Sequence, residues 1–325
     1  MRTRATSRGL EFTELGLGTA QLGNLYRETS PEEAEATLAA AWEGGIRYVD
    51  TAPHYGLGLS ERRVGAWLRG RPRDEFVLST KVGRLLVPSP ETAGRQDDEG
   101  FAVPADRRRV FDFSRDGVLR SVEASLERLG LDRIDVLYLH DPDDHFEQAS
   151  GEGIAALIEL REQGVVRAVG AGMNAAAPLA ELIRRADVDV VMCAGRFTLL
   201  DASALEDLLP LALERGVGVV AAGVFNSGLL GRSRPSPDAT FDYGPVPPAL
   251  LARATRIAEV CEAHGASLPE AAVAYVLRHP AVVSVVLGSR GRAQVEQNLA
   301  RATTHVPDAL WGDLASAGLI QEFSR

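Results

Sequence analysis

The sequence predicts a (β/α)8 TIM barrel, an α/β fold in which eight parallel strands alternate with helices. Strand-like and helical stretches alternate along all 325 residues. The strand-like runs are continuously apolar, as expected when both faces of a parallel sheet are buried. About eight strand–helix units fit this length, which favours a closed barrel over an open sheet.

The first unit is a short strand followed by a capped helix. ELGLG, residues 14–18, reads as the strand. Ser30 then supplies a helix N-cap, Pro31 the first helical position and Glu33 the acid of a capping box. Because the alanine-rich stretch that follows ends at residues 44–45, a glycine pair, we expect a helix of roughly a dozen residues.

The remaining units repeat this alternation. IRYVD is the next strand, a helix follows from about Ser60 to Leu68, and FVLSTK is the third strand. Amphipathic stretches that close on glycine separate the later strands. These later strands are predicted at residues 134–140, 165–172, 188–194, 217–223 and 282–289.

Two long loops interrupt the pattern. Residues 83–112 are polar and rich in charge, and residues 224–248 contain five prolines. Loops of that length within a compact domain are usually functional covers or disordered insertions. Since no proline-rich or low-complexity linker divides the chain, we expect one domain over residues 1–325.

The composition narrows the class of partner. A formal net charge of −10 argues against binding to nucleic acid or to an anionic membrane surface, so we expect a small-molecule substrate. The sequence makes no prediction of oligomeric state. The N-terminus lacks the apolar segment of a signal peptide and no apolar run approaches the length of a membrane span, which places the expected location in the cytoplasm.

Cysteine and histidine usage predicts neither disulfides nor metal. Cys193 lies in an apolar run and Cys261 in a helical pattern, so both are expected to be reduced core residues. The six histidines show no ligand spacing of the H-E-x-x-H type. We therefore expect no metal site.

Polar residues stand at the ends of three predicted strands. Asp50 ends IRYVD, Lys81 ends FVLSTK, His140 ends IDVLYLH, and Tyr55 lies in the loop just past Asp50. Taken singly, these are ordinary turn, surface or packing residues. Because the carboxyl ends of barrel strands open into one mouth, the fold predicts that these side chains meet there.

Together the four side chains suit proton transfer. A free tyrosine has a pKa near 10, and the ammonium of Lys81 would stabilise the phenolate of Tyr55 and lower that value. Asp50 would pair with Lys81 and keep it charged. His140 would hydrogen-bond a substrate oxygen and orient it toward Tyr55.

The chain resembles the aldo-keto reductase superfamily along nearly its whole length. The resemblance rests on GLGTAQLG, GIRYVDTAPHYG, FVLSTKVG, IDVLYLHDPD and VLGSRGRAQVEQN, in the family's order. It implies a (β/α)8 barrel, a nicotinamide cofactor and a catalytic tetrad of Asp50, Tyr55, Lys81 and His140. DTAPHYGLGLSERRVG and STKVGRLL look like the branch of aldose 1-dehydrogenases, which includes L-fucose and D-threo-aldose dehydrogenases and the related pyridoxal 4-dehydrogenase.

The resemblance also implies which residues contact the cofactor. Gly288 and Gln294 replace a lysine and an arginine typical of NADPH-preferring members, and the loss of two cations favours NAD over NADP. Arg290 and Arg292 lie nearby and keep NADP as the alternative. The implied cofactor-binding residues are Gly18, Thr19, Asn174, Phe225, Asn226, Ser227, Gly288, Ser289, Arg290, Gln294 and Asn298.

The sequence departs from the family where the nicotinamide is expected. Gly172 and Met173 replace the usual Ser-Asn pair, with Asn174 one position on as an amide partner. Ala194 replaces a glutamine. Ala222 replaces a stacking tyrosine, which leaves Phe225 as its substitute.

The polar residues His54, Asp141 and Arg196 are expected at the substrate edge of the site. The leading hypothesis is oxidation of the anomeric hydroxyl of an aldose such as L-fucose or a D-threo-aldose to the lactone, with hydride transfer to NAD. A pyridoxal 4-dehydrogenase or a general aldehyde and ketone reductase would use the same scaffold. Two further alternatives are an aldolase with Lys81 as its Schiff-base residue and a non-catalytic, nucleotide-binding regulatory subunit.

Overall fold

Eight parallel strands close into a TIM barrel in the computed structural model, which describes residues 1–242 and 244–323. In chain order the strands are β1 Thr3–Ala5, β2 Glu11–Thr13, β3 Leu15–Gly18, β4 Tyr48–Asp50, β5 Val77–Val82, β6 Arg84–Pro88, β7 Arg107–Phe111, β8 Val136–His140, β9 Ala168–Met173, β10 Val190–Ala194, β11 Gly218–Ala222, β12 Thr240–Phe241, β13 Gly244–Pro245 and β14 Val282–Gly288. The barrel runs β3, β4, β5, β8, β9, β10, β11, β14 and back to β3. All eight predicted barrel strands are confirmed.

Helices alternate with the barrel strands. Ser30 accepts a hydrogen bond from the backbone N–H of Glu33 at 3.1 Å, so the first helix begins at the predicted cap. The helices are α1 Pro31–Glu43, α2 Leu59–Leu68, α3 Arg115–Leu129, α4 Phe146–Gln148, α5 Ile154–Glu162, α6 Ala176–Arg185, α7 Leu208–Arg215, α8 Pro248–Ala263, α9 Leu268–Leu277, α10 Arg292–Thr303 and α11 Ala309–Ser316.

The basic N-terminus forms a hairpin that the sequence pattern did not indicate. Strands β1 and β2 pair antiparallel, and Arg4 donates to the backbone oxygens of Val282 at 2.9 Å and Leu277 at 2.7 Å. Arg4 also pairs with Glu14 at 2.8 Å. The hairpin therefore lies at the N-terminal end of the barrel, opposite the mouth.

Both long loops contain secondary structure at the mouth of the barrel. Within residues 83–112, β6 and β7 pair antiparallel with Arg84 opposite Phe111. Within residues 224–248, β12 pairs with β13 and Thr240 bridges to Gly228. Because the two segments follow β5 and β11, both extend the carboxyl end of the barrel.

The pleat of the strands builds the interior in layers. Tyr48 and Tyr138 are buried and their hydroxyls lie 3.3 Å apart, with Ser79 Oγ 3.0 Å from the Tyr48 hydroxyl. Successive side chains alternate between the faces of a strand, so the residue two positions on points to the same side. Asp50 and His140 therefore form the next layer toward the mouth.

Both cysteines are buried, unpaired core residues, as predicted. Burial raises the pKa of the Cys193 and Cys261 thiols to about 12. Within the described ranges, no helix has the length and apolar character needed to cross a membrane. A single domain over residues 1–325 stays a prediction.

Candidate active site

Four polar side chains meet at the mouth of the barrel: Asp50, Tyr55, Lys81 and His140, which we call the polar quartet. Lys81 Nζ lies 2.8 Å from Asp50 Oδ2 and 3.2 Å from the hydroxyl of Tyr55. The rings of Tyr55 and His140 are edge to face, with centroids 6.0 Å apart. The structure thus brings together the four side chains that the sequence predicted would meet.

Hydrogen bonds fix the acidic and basic members of the quartet. Asp50 Oδ1 accepts from Ser79 Oγ at 2.7 Å, while Oδ2 accepts from Lys81. Lys81 also donates to the backbone oxygen of Thr51 at 3.0 Å. Neither side chain can turn away from Tyr55 without losing a buried hydrogen bond.

Two glycines position the loop that carries Tyr55. Gly56 has φ +62°, a left-handed conformation that favours glycine, and a Cβ there would lie 2.2 Å from the backbone oxygen of Gly23. A Cβ on Gly23 would lie 2.6 Å from the backbone carbon of Tyr55. The close approach of two loop backbones, after β3 and after β4, therefore sets the position of the phenol.

Lys81 carries its charge despite being only 2% exposed. Burial by itself lowers the pKa of a lysine, but the Asp50 carboxylate, and after it Tyr55, raise the pKa of Lys81 by more, so the net shift is upward. The ammonium is therefore the stable form at neutral pH. A charged donor consequently faces the hydroxyl of Tyr55.

The pKa of Tyr55 differs from the sequence-based expectation. Burial raises the pKa of Tyr55, and the Lys81 ammonium offsets only part of that rise. The expected lowering of the Tyr55 pKa below 10 was wrong for the protein without ligand. Removal of the phenolate from water destabilises it by more than the Lys81 ammonium stabilises it. Tyr55 is thus neutral, with its hydroxyl held at Lys81.

The two histidines at the mouth are uncharged. Burial, followed by the charge of Arg84, lowers the pKa of His54 to about 2. The same two causes, in the same order, lower the pKa of His140 well below 6.5. Each imidazole therefore has one N–H donor and one acceptor at neutral pH.

A cavity of about 300 Å³ opens beside the quartet and joins a second cavity of about 890 Å³. Gly172, Met173, Ala194 and Ala222, the positions that depart from the family pattern, line the smaller one. Their side chains are mostly small, which leaves room at its base. The residues common to both cavities are Gln21, Asn174, Ala194, Gly223, Val286 and Gly288.

The predicted cofactor residues divide into two groups. Gly18 and Thr19 line the smaller cavity, Phe225, Asn226 and Ser227 line the larger, and Asn174 and Gly288 line both. The remaining four, all in the β14–α10 segment, lie outside both linings as far as the described residues define them. These four are Ser289, Arg290, Gln294 and Asn298.

The four residues outside the cavities hold their own segment together. Asn298 donates to Ser289 Oγ at 3.0 Å, and Gln294 Oε1 accepts from the backbone N–H of Arg290 at 2.7 Å. The guanidinium of Arg290 donates to the backbone oxygen of Leu25. These contacts hold the start of α10 next to the cavities.

Asn226 provides a test of whether the larger cavity suits a polar ligand. Its side chain is 2% exposed, yet within the described part of the chain neither its amide nitrogen nor its amide oxygen has a hydrogen-bond partner. Its φ of +45° and the +55° of Ser227 show strained backbone. A buried amide without partners fits a site that is completed by a ligand.

Gln21 is a cavity residue that the sequence did not indicate. It lines both cavities and its Oε1 is buried without a partner among the described residues. A Cβ added to Gly288 would lie 2.5 Å from Gln21 Nε2. The Gln21 amide thus occupies the space that a side chain at position 288 would take.

The three predicted substrate residues lie at the rims. His54 and Asp141 line the smaller cavity and Arg196 lines the larger. Arg196 pairs with Asp201 at 2.9 Å and with Asp242 at 2.8 Å. It also donates from Nε to the backbone oxygen of Asn174 at 2.8 Å. All three guanidinium nitrogens of Arg196 therefore have partners within the protein.

The hairpin of β6 and β7 adds two arginines that sequence reasoning missed. Arg84 lies 2.7 Å from Asp141, and Arg109 donates to the backbone oxygen of His54 at 3.0 Å. Arg109 also pairs with Asp97 at 2.6 Å. The only signal in the sequence was the charge density of residues 83–112, which does not say which arginine turns inward.

Comparison with known proteins agrees with this geometry. Residues 14–317 match the model of the Aldo/keto reductase family. The chain is 49% identical to a D-threo-aldose 1-dehydrogenase of Pseudomonas sp over 97% of each chain, and 41% identical to a pyridoxal 4-dehydrogenase of Microbacterium luteolum over 96% of each. The holo form of an aldo-keto reductase from Bacillus halodurans superposes with a TM-score of 0.75 at 27% identity, covering 99% of this chain and 97% of the other.

The fold and the site thus define a barrel oxidoreductase that acts on carbonyl and hydroxyl groups. The chain belongs to the aldo/keto reductase family. Enzymes of this family use nicotinamide cofactors and act on small-molecule carbonyl and sugar substrates.

Proposed function

We propose that the protein is an aldose 1-dehydrogenase that oxidises the anomeric hydroxyl of a sugar such as L-fucose or a D-threo-aldose to the lactone. The observation that carries the proposal is the contact of Lys81 Nζ with Asp50 at 2.8 Å and with the Tyr55 hydroxyl at 3.2 Å. The relative that is 49% identical is a D-threo-aldose 1-dehydrogenase, which supports the substrate class.

Tyr55 acts as the proton acceptor in this reaction in its phenolate form, after its own proton has passed to solvent. A nicotinamide nucleotide bound in the adjoining cavities would supply the hydride acceptor. The proton of the anomeric hydroxyl would pass to the phenolate oxygen of Tyr55, which the charge of Lys81 stabilises. Asp50 keeps Lys81 charged and directed at Tyr55. The charge of Lys81 therefore stabilises the phenolate, although burial raises the pKa of Tyr55.

His140 orients the substrate oxygen. Its imidazole is neutral, and its ring lies edge to face with Tyr55 at 6.0 Å. A neutral ring donates one hydrogen bond without adding a charge that would oppose departure of the hydride. The substrate oxygen is thereby held between an imidazole N–H and the phenol.

The larger cavity and the residues that it shares with the smaller one would hold the nicotinamide nucleotide. Asn226 supplies a buried amide without partners among the described residues, and Gln21 a buried amide oxygen. Phe225 lines the same cavity and is our candidate for the aromatic ring that stacks on the cofactor. Asn174 lines both cavities and is our candidate partner for the nicotinamide amide.

NAD is the preferred cofactor in this proposal, with NADP as the alternative. The two arginines near position 288 are engaged elsewhere: Arg290 donates to the backbone oxygen of Leu25, and Arg292 pairs with Glu43 at 2.7 Å. Gln21 fills the space next to Gly288 with a neutral amide. A 2′-phosphate would therefore find fewer free cations than it needs.

Two other activities use the same scaffold. Oxidation of pyridoxal is the second candidate, because a relative that is 41% identical is a pyridoxal 4-dehydrogenase. Reduction of small aldehydes or ketones follows from the same polar quartet. A Schiff-base role for Lys81 is disfavoured, since its raised pKa keeps the amine protonated and poorly nucleophilic.

The first experiment is absorbance at the reduced-nicotinamide band with purified protein, L-fucose, and NAD or NADP in parallel. We expect turnover with NAD that falls by roughly 10²- to 10⁴-fold in Tyr55→Phe, the usual loss when a general base is removed. Binding of NADH, followed by fluorescence, should be retained in that variant. If NADH binds but neither L-fucose nor D-arabinose reduces NAD, the aldose proposal fails and pyridoxal is tested next.

A further inference from the structure

The carboxylate of Asp141 has one oxygen held and one oxygen free. Arg84 Nη2 donates to Oδ2 at 2.7 Å, whereas no residue in the described ranges donates to Oδ1. The side chain is 24% exposed and lines the cavity that contains Tyr55. The free oxygen is therefore an acceptor available to a molecule in that cavity.

The backbone of Asp141 fixes where this carboxylate points. Asp141 directly follows His140, has φ +41°, and donates its backbone N–H to the oxygen of Gly172 at 3.0 Å. Left-handed backbone is uncommon outside glycine and is tolerated best by aspartate and asparagine. The turn sends the side chain back across the mouth, so that Asp141 Oδ2 lies 3.7 Å from His140 Nε2.

Arg84 is held as firmly as the carboxylate. Its side chain is only 13% exposed, and its guanidinium lies 5.2 Å from the ring centre of Phe111, its neighbour across the hairpin. Nη1 lies 3.5 Å from His54 Nδ1 and 3.9 Å from Glu99. An arginine fixed on several sides presents its planar fork to Asp141 in one orientation.

We propose that Asp141 binds the hydroxyl on the carbon next to the reacting carbon, and that Arg84 is the positioning residue that holds it there. The inference rests on the proposed function, because it takes His140 as the group that holds the reacting oxygen. Oxygens on neighbouring carbons of a sugar lie roughly 3 Å apart, about the length of a hydrogen bond. The held oxygen of Asp141, Oδ2, lies 3.7 Å from His140 Nε2, and the free oxygen Oδ1 belongs to the same carboxylate, so His140 and Asp141 together suit such a pair.

The chemistry of a carboxylate makes this contact selective. An ionised carboxylate only accepts hydrogen bonds, so the ligand group must be a donor such as a hydroxyl. A substrate without that hydroxyl leaves the largely buried Asp141 acceptor unpaired, and sites built around a substrate hydroxyl discriminate strongly for this reason. Asp141 would thus select 2-hydroxy aldoses over 2-deoxy sugars and simple aldehydes.

The test compares D-arabinose with 2-deoxy-D-ribose, which is the same sugar without the hydroxyl at C2. With wild-type enzyme and NAD, we expect kcat/KM to be roughly 10- to 100-fold higher for D-arabinose, the effect of one hydrogen bond to a charged group. Asp141→Gly removes the carboxylate and tolerates the positive φ, and should bring the ratio close to one. Asp141→Asn keeps an acceptor without the charge and should give an intermediate ratio.

A pH profile separates the positioning role of Arg84 from a structural one. Burial raises the pKa of Asp141, and Arg84 and then Lys81 offset part of that rise. Without Arg84 the pKa of Asp141 moves higher, so the acid limb of kcat/KM for D-arabinose moves to higher pH. Among the described residues, the charged or titratable groups around Asp141 and Arg84 are Lys81 on β5, Arg84 on β6, His54 and Tyr55 after β4, Glu99 and Arg109 in the hairpin segment, and His140 and Asp143 on the segment of Asp141 itself.

Two variants of Arg84 and one control complete the design. Arg84→Ala should shift the acid limb further for D-arabinose than for 2-deoxy-D-ribose, because the loss of Arg84 raises the pKa of His140 for both sugars, whereas the rise in the pKa of Asp141 affects only the sugar that uses it. Arg84→Lys keeps a cation and should recover part of the wild-type profile. Arg115→Ala, which breaks an exposed pair with Glu159 at 2.9 Å on another surface, should change neither.

The outcomes separate this inference from the proposed function. Equal kcat/KM for the two sugars in the wild type, or an unchanged ratio in Asp141→Gly, would overturn the role of Asp141 while aldose oxidation stands. An acid limb that moves equally for both sugars in Arg84→Ala would reduce Arg84 to a structural residue. Bound NADH with turnover of neither these sugars nor L-fucose would overturn the proposed function, and the inference with it.

Discussion

Lys81 Nζ and Asp50 Oδ2 lie 2.8 Å apart at the mouth of the barrel, with side chains only 2% and 3% exposed. A pair buried this deeply is stable only while both partners remain, because removal of one leaves an uncompensated charge out of water. The same contact keeps Lys81 protonated and directed at Tyr55. Stability and chemistry therefore depend on one ion pair.

Asp50→Asn should lower the free energy of unfolding by about 3–5 kcal/mol, as removal of one partner of a buried pair does. Urea denaturation at pH 7 measures the change. The matched control is Asp74→Asn, whose carboxylate is 94% exposed beside Arg133 and should contribute less than about 1 kcal/mol. Equal losses in the two variants would mean that the Asp50 pair is not specially dependent on burial.

His54 should make the protein less stable as the pH falls. Its pKa is about 2 in the folded chain and 6.5 when unperturbed, so between these values the unfolded chain binds more protons at this residue. Stability is therefore lost as the pH falls below 6.5. Between pH 7 and pH 5 the wild type should lose up to about 2 kcal/mol more than His54→Gln.

Urea denaturation at the two pH values measures this difference. His305→Gln, a substitution at an exposed position, is the control and should follow the wild type. Parallel curves for wild type and His54→Gln would show that the imidazole is not held neutral by its surroundings.

Gln21 and Gly288 should act as a coupled pair in cofactor binding. A methyl group at position 288 would meet Gln21 Nε2 at 2.5 Å and push its flexible amide out of the shared wall of the two cavities. Gly288→Ala should therefore weaken NADH binding in the wild type but much less in a Gln21→Ala background. We expect a coupling energy of about 0.5–3 kcal/mol, as residues in contact usually show.

Fluorescence titration of NADH against the four proteins of this cycle measures the coupling, and titration with NADPH tests cofactor preference in the same samples. Additive effects would show that Gln21 and Gly288 act independently in cofactor binding. Tighter binding of NADPH than of NADH by the wild type would contradict the preference for NAD.

Arg196 should control how fast the cofactor leaves. It joins Asp242, in the segment that follows β11, to Asp201 and to the backbone of Asn174. Arg196→Lys keeps the charge but not the fork, and should speed NADH release roughly fivefold, equivalent to about 1 kcal/mol for a partly exposed pair. Stopped-flow fluorescence measures the rate.

The control for Arg196 is Arg256→Lys, which alters an exposed pair with Glu259. A large rise in KM for the sugar with no change in NADH release would instead assign Arg196 to substrate binding. That outcome would favour the role that the sequence predicted.

Local patterns were enough to predict the barrel strands but not the N-terminal hairpin. The eight strands are apolar because both faces are covered, which leaves a strong signal. Strands β1 and β2 are only three residues each, and their polar residues are satisfied by distant partners: Arg4 donates to the backbone oxygen of Val282 at 2.9 Å. No local pattern reports such a contact.

The polar quartet was predictable because its members lie at or just after the carboxyl ends of strands, and a barrel brings those ends together at one mouth. Asp50 and His140 end barrel strands, Lys81 is the penultimate residue of its strand, and the pleat turns all three inward. The pKa of Tyr55 was not predictable, since it balances burial against one ammonium. The extent of burial and the distance to Lys81 both depend on tertiary packing, which a sequence pattern does not show.

By itself, the sequence determined the succession of strands and helices and the polar residues at the mouth, because these follow from periodicity and from the end of each strand. Only the tertiary structure decided that Arg84 holds Asp141 at 2.7 Å and that Gln21 fills the space beside Gly288. In each pair the partners come from distant parts of the chain, and their contact follows from how those segments pack at the mouth of the barrel rather than from neighbouring residues.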